Sequence, residues 1–265
     1  MRLSGGPHRM VEYHCNVCGC LNAELASRFH RETTACASCG SNPRFRGLVH
    51  ALCCTLFGQP LILADMPSNL AITGLGFSDS EIYAPSLRRI FAYENTYLDQ
   101  TPQLDITNAA SCEKYLPVDF VVCSDVFEHI SPPVPEAFAN LRSLLRKTGV
   151  LVFSVPTIAA KETVEHFPSF FQTRVVNVGG VDVLVNRRRD GRVEVFQDLV
   201  FHGGAGVVLE MRVFSQDRLV QHLEEASFTD IQVYSDAIPE IGYYWGDMPS
   251  RAGNLLGYVV AACAV

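Results

Sequence analysis

Cys15-Asn-Val-Cys18-Gly19 and Cys36-Ala-Ser-Cys39-Gly40 set four thiols in two matched pairs separated by seventeen residues. That spacing lets four thiolates converge tetrahedrally on one zinc ion. Each pair must curl so that backbone N–H groups point at the sulfurs. A glycine directly after the second cysteine supplies the left-handed backbone the curl requires. Four protein ligands close the coordination sphere, so the expected zinc is structural unless Cys20, His14 or His30 replaces one of them. A second constellation is Ser124-Asp125-Val-Phe-Glu128-His129. An imidazole titrates near neutral pH, so His129 is a candidate general base that Glu128 or Asp125 could orient. The competing reading is that the Glu-His pair caps a strand and packs a loop without moving a proton.

The elements that must carry these residues follow from hydrophobic periodicity. Residues 61–64, 90–93, 120–123 and 150–155 are short apolar runs, and 134–146 has a helical pattern, which predicts an α/β chain with a parallel sheet and crossover helices. A further helix is expected over 215–226 and strands over 231–234 and 255–262. A strand, loop, strand ending implies an antiparallel last pair. The apolar stretch 48–57, stopped by Gly58, predicts a helix that docks the cysteine module, with Arg44 and Arg46 read first as solvated and second as facing an anionic substrate. Residues 157–211 exceed any ordinary strand-to-helix connection and predict a β-rich insertion shaping a substrate pocket. Within it, 175–178 and 181–185 read as a hairpin around Gly179-Gly180. His166, His202 with the glycines Gly203, Gly204 and Gly206 after it, and Glu210 are candidate polar anchors. Trp245, the only tryptophan, lies in an aromatic loop that could cover a flat or sugar substrate, or simply pack.

Val118-Asp-Phe-Val-Val-Cys-Ser-Asp-Val-Phe-Glu-His-Ile130, followed by Leu141-Arg-Ser-Leu-Leu-Arg-Lys-Thr-Gly-Val-Leu-Val-Phe-Ser-Val-Pro156, resembles the fourth-to-fifth-strand block of class I, Rossmann-like S-adenosylmethionine-dependent methyltransferases. The resemblance implies that fold, mostly parallel with an antiparallel last strand, over 48–265, behind a zinc ribbon over 1–47. It also implies S-adenosyl-L-methionine as cofactor. Asp65 would end the first strand, and the glycine-poor loop after it would bind through Ser68 and Asn69. Glu94 resembles the acid that takes the ribose hydroxyls, Asp105 the acid beside the adenine, and Ser124 a residue between cofactor and acceptor. The ribbon together with the Glu-His pair is similar to zinc-containing methyltransferases acting on nucleotide-linked sugars, which implies a small polar acceptor.

The formal charge of −7 falls on the body, because residues 1–50 carry six Lys/Arg against three Asp/Glu. An acidic body repels a polyanion, which argues against nucleic acid, although RNA methylation through the ribbon is a competing reading. A degenerate module that recruits a partner is the third. The first ten residues have no apolar core of a secretory signal, and the longest apolar run is too short to cross a bilayer, so a cytoplasmic location without membrane contact is expected. The oligomeric state is not legible.

Overall fold

The computed structural model describes residues 9–202 and 208–265. Strands β1 (Met10–His14) and β2 (Leu21–Leu25) pair antiparallel on either side of the first cysteine pair. Helix α1 (Pro43–Phe57) follows the second. The Asn42 side chain accepts the Phe45 N–H at 2.9 Å, Pro43 sits in the first turn where a missing N–H costs nothing, and Gly58 closes the end.

Next come β3 (Thr73–Phe77), α2 (Ala84–Ile90), β4 (Ala92–Thr96), β5 (Val118–Ser124), α3 (Val134–Ser143) and β6 (Leu145–Ser154). The insertion contributes a meander, β7 (Gln172–Val178), β8 (Val181–Arg187) and β9 (Val193–Phe196), then the short pair β10 (Phe201–His202) and β11 (Val208–Leu209). Strand β12 (Arg212–Ser215), α4 (Gln216–Glu225), β13 (Phe228–Val233) and β14 (Val259–Ala264) complete the body. The main sheet has the order β13-β14-β6-β5-β3-β4. Strands β4, β3, β5 and β6 run parallel, and β14 is antiparallel to both β6 and β13, as the strand, loop, strand ending predicts.

Alternation along the central strands sends successive side chains to opposite faces. Phe120, Val122, Val150 and Val152 pack with α1 and α2, whereas Val121, Cys123, Leu151 and Phe153 pack with α3 and α4. The architecture is therefore two helical layers around one sheet. Among the described residues no helix is long and apolar enough to cross a membrane.

Three expected elements differ. The strand expected over 90–93 runs Ala92–Thr96, because Ile90 closes α2. Residues 61–64 form no strand; they lead into a single turn, Leu63–Asp65, tied to the cysteine module by Leu63 N–H donating to Asn16 O at 2.9 Å. Pro60 and Pro67 flank this stretch and disfavour a sheet ladder. The first sheet strand is instead β3, whose Gly74 and Gly76 break the apolar pattern. The helix expected over 134–146 ends at Ser143, because Leu145 pairs with Val118 and the sheet claims the following residues.

The glycines of β3 are there for space. A Cβ on Gly76 would lie 1.9 Å from Tyr93 Oη and 2.3 Å from Asp79 Oδ2. Gly76→Ala is expected to cost about 1–3 kcal/mol by overpacking, read as a lower thermal midpoint; an unchanged midpoint would show that this close approach does not exist.

Candidate functional site

In the cysteine module, Gly19 N–H donates to Cys15 O at 2.7 Å and Gly40 N–H to Cys36 O at 2.9 Å, with φ of 80° and 77° at the two glycines. The two curls face each other. Cys15 and Cys39 Sγ lie 3.6 Å apart and Cys18 and Cys36 Sγ 3.7 Å. A disulfide needs about 2.05 Å; ligands on a tetrahedral zinc at 2.3 Å stand about 3.8 Å apart. The four thiols form one cluster that fits a metal ion.

This module also builds part of a cleft. Arg31, with its side chain 6% exposed, donates to both oxygens of Asp125 at 2.8 Å and to Gly257 O at 2.8 Å. Arg44, in the first turn of α1, donates to Ser124 Oγ at 2.5 Å and approaches Asp125 Oδ2 at 3.3 Å. Glu32 bridges the two arginines, 2.5 Å from Arg31 and 2.7 Å from Arg44. Burial alone would raise Asp125, but Arg31 and Arg44 outweigh it and hold the carboxyl well below the usual aspartate range. Neither Arg44 nor Arg46 is solvated, contrary to the first reading of the sequence. Arg46 is fully buried and donates to Gly242 O at 2.9 Å, with its guanidinium 4.5 Å from the Tyr13 ring centroid.

The cleft opens over the carboxyl ends of β3, β4 and β5, where parallel sheets bind ligands. One cavity of about 760 Å³ is lined by Arg31, Arg44, Ser78, Asp125, His129 and His202. A second, of about 450 Å³, lies between Phe77, Tyr97, Leu104, Asp105, Ile106 and Ile130. Ser78 and His129 border both. Ser78 and Asp125, the residues directly after β3 and β5, both adopt left-handed backbones, with φ of 54° and 51°. Non-glycine residues held this way carry strain that clusters at functional sites. Asp79 accepts from Tyr83 Oη at 2.7 Å and Tyr93 Oη at 2.5 Å; burial outweighs those bonds and pushes it up to about 7.

The insertion closes the other side with a chain of histidines. His129 Nδ1 donates to Leu209 O at 2.9 Å, and its Nε2 lies 3.0 Å from His202 Nδ1. Glu210 accepts from His166 Nε2 at 2.8 Å and lies 3.2 Å from His202 Nε2. Burial opposes ionisation of Glu210, yet its two histidine hydrogen bonds hold it down at about 2. The Glu210 contact raises His202, whereas burial lowers His129. Glu128 is fully buried, and burial together with Asp125 raises it well above the usual glutamate range.

The structure thus brings Ser124, Asp125, Glu128, His129, His202 and Glu210 together, with His166 one contact behind and Asp105 in the second cavity. Asp65, Ser68 and Asn69 lie elsewhere. They precede β3 at the amino end of the sheet, where Asn69 N–H bonds Ile90 O at 2.6 Å and Asp65 and Asn69 border a separate cavity. Glu94 is exposed in the middle of β4, opposite Leu75, and does not reach the carboxyl end, where Thr96 and Tyr97 stand. Trp245 is 2% exposed, donates to Leu256 O at 3.1 Å and packs edge-on to Tyr243; it belongs to the core and does not line the cleft. Asp247 and Met248 beside it do. Gly203, Gly204 and Gly206 lie outside the described residues. Arg31, Ser78, Asp79 and Tyr97 line the cleft without belonging to any motif named above. Gly74-Leu-Gly76-Phe-Ser78-Asp79 was a readable strand-to-turn signal for Ser78 and Asp79; nothing local marks Arg31.

A family model described as a methyltransferase domain matches residues 70–233. No curated protein matches the sequence. Among solved structures, the chain is similar to an S-adenosylmethionine-dependent methyltransferase from Clostridium acetobutylicum at 13% identity, covering 71% of this chain and 82% of that one, with TM-score 0.37. It is also similar to the Burkholderia thailandensis 1,6-didemethyltoxoflavin-N1-methyltransferase at 14% identity, with coverage of 82% and 76% and TM-score 0.39. A sugar N-methyltransferase from a Streptoalloteichus species shares 12% identity, with coverage of 73% and 80% and TM-score 0.39.

Proposed function

The chain belongs to the methyltransferase-domain family whose model spans residues 70–233, and from that premise we propose that the joined cleft binds S-adenosyl-L-methionine and directs its methyl group to a small polar acceptor. The observation that carries this reading is the meeting of two cavities at Ser78 and His129, over the carboxyl ends of β3, β4 and β5.

The residues present fit such a cofactor. Phe77, Leu104, Ile106 and Ile130 make an apolar slot for a flat base. Asp105 stands beside it, one oxygen held by Thr107 at 2.9 and 2.7 Å and the other left to accept from a ligand. Tyr97, just past the carboxyl end of β4, lines the same slot and offers its hydroxyl proton to a ribose. Toward the larger cavity, Ser78, Ser124 and the Arg44 guanidinium offer donors for a carboxylate. When bound, the cofactor supplies an electrophilic methyl group on a positively charged sulfur. The chain's task is then to align an acceptor and exclude water. His129 is kept neutral by burial, and its Nδ1–H is committed to Leu209 O, so Nε2 turns its lone pair toward His202 at the edge of the larger cavity. Zinc on Cys15, Cys18, Cys36 and Cys39 completes the proposal as a structural ion. It fixes the loop that delivers Arg31.

Calorimetric titration with S-adenosylhomocysteine tests the donor site. Wild-type protein is expected to bind, Asp105→Ala about tenfold more weakly for one lost hydrogen bond to a charged group, and Glu94→Ala no differently from wild type. Loss of binding in Glu94→Ala with none in Asp105→Ala would move the site away from this cleft.

A further inference from the structure

We propose that Glu128, His129 and His202 form a second metal site, distinct from the four cysteines, that holds a divalent ion of the zinc class with an open position toward the cleft. His129 Nε2 and His202 Nδ1 are 3.0 Å apart, and Glu128 Oε1 lies 3.7 Å from each. Nitrogen and oxygen ligands about 2.0–2.2 Å from a tetrahedral zinc stand roughly 3.3–3.5 Å apart, so the three atoms already outline one face of such a sphere.

The outer contacts orient the lone pairs inward. A carbonyl oxygen only accepts, so Leu209 O fixes the proton of His129 on Nδ1 and leaves Nε2 bare. The Glu210 carboxylate, at 3.2 Å, does the same for His202, leaving Nδ1 bare. Metal-bound histidines are typically held by such a carbonyl or carboxylate on the far nitrogen. Two bare nitrogens at 3.0 Å repel unless a cation lies between them. A single shared proton would satisfy the nitrogens alone. It would leave Glu128 stranded: this side chain is fully buried, and neither of its oxygens has a hydrogen-bond partner among the described residues. A buried carboxyl without partners is costly in either protonation state, and a metal ion satisfies it together with both imidazoles. His129 and His202 also border the larger cavity, so the remaining coordination position faces the joined cleft in which donor and acceptor are proposed to meet. Resting on the methyltransferase reading, this identifies the acceptor as one that offers an oxygen donor, such as a hydroxyl. The metal site itself does not depend on that reading.

The test is metal stoichiometry on the full chain, saturated with zinc, freed of excess by gel filtration and measured by elemental mass spectrometry. Wild type is expected to hold two zinc ions. Glu128→Gln and His202→Ala are each expected to hold one, and Glu210→Gln to bind the second ion about 10–100-fold more weakly. Cobalt substitution separates the sites, because the first equivalent shows thiolate charge-transfer absorption and the second does not. One ion in saturated wild type, or two in both variants, overturns the proposal. S-adenosylhomocysteine titration of the same samples keeps the donor reading separately testable, since Glu128→Gln leaves the second cavity intact.

Discussion

Asp125→Asn is expected to lower the thermal midpoint by about 10 °C. Asparagine keeps the shape and tolerates the left-handed backbone at this position, φ 51°, but removes the charge. Arg31 and Arg44, with side chains 6% and 14% exposed, then share Glu32, itself 36% exposed, as their one carboxylate among the described residues. Breaking a buried pair from one side costs about 3–5 kcal/mol, and a chain of this size loses about 2–4 °C per kcal/mol. The pH dependence has a definite sign. The native pKa of Asp125 is depressed, so its stabilisation is complete above the ordinary aspartate range and is lost as the pH falls through the native value. The gap between wild type and variant should therefore hold across neutral pH and close only under strongly acidic conditions. Equal midpoints at pH 7 would mean that the cysteine module is anchored by other contacts.

Cys36→Ser is expected to release one equivalent of zinc and to unfold the module without unfolding the sheet. Structural zinc contributes about 10–16 kcal/mol in small isolated modules, and the apolar core of this one is small: Val11, Tyr13, Ala26 and Phe29. Hydrogen exchange should show β1 and β2 losing protection while β5 and β6, buried on both faces, keep theirs. Because Arg31 belongs to the same module, the cleft would lose one wall. Cys53→Ser, a change within the α1 core, provides the comparison and should retain the metal. Undiminished zinc in Cys36→Ser would remove that cysteine from the cluster.

What the sequence disclosed depended on how local each signal was. The cysteine pairs carry spacing and glycines within five residues, and the structure places their thiols in one cluster. The stretch from Val118 to Pro156 was readable because two continuous apolar strands flank an acidic loop. Strand β3 was not, because Gly74 and Gly76 clear room for the Phe120 ring and for Tyr93 and so erase the apolar alternation. That slip moved the expected cofactor loop to Asp65, and ending the next strand at Tyr93, where β4 runs on to Thr96, put the ribose acid at Glu94. The Arg31–Asp125 pair spans 94 residues, and no local pattern foretells it. His166, His202 and Glu210 stood out only as isolated polar residues. The folding of the insertion, which carries Leu209 O against His129, turns them into a connected array.

The methyltransferase reading places the donor over the carboxyl ends of β3, β4 and β5. A crystal structure of the chain with S-adenosylhomocysteine measures this directly. The nucleoside base is predicted between Leu104, Ile106 and Ile130, and the amino-acid end beside Ser78 and Arg44. Ligand density in the separate cavity formed by Phe57, Met66 and Asn69, or side chains filling the slot beside Asp105, would contradict it.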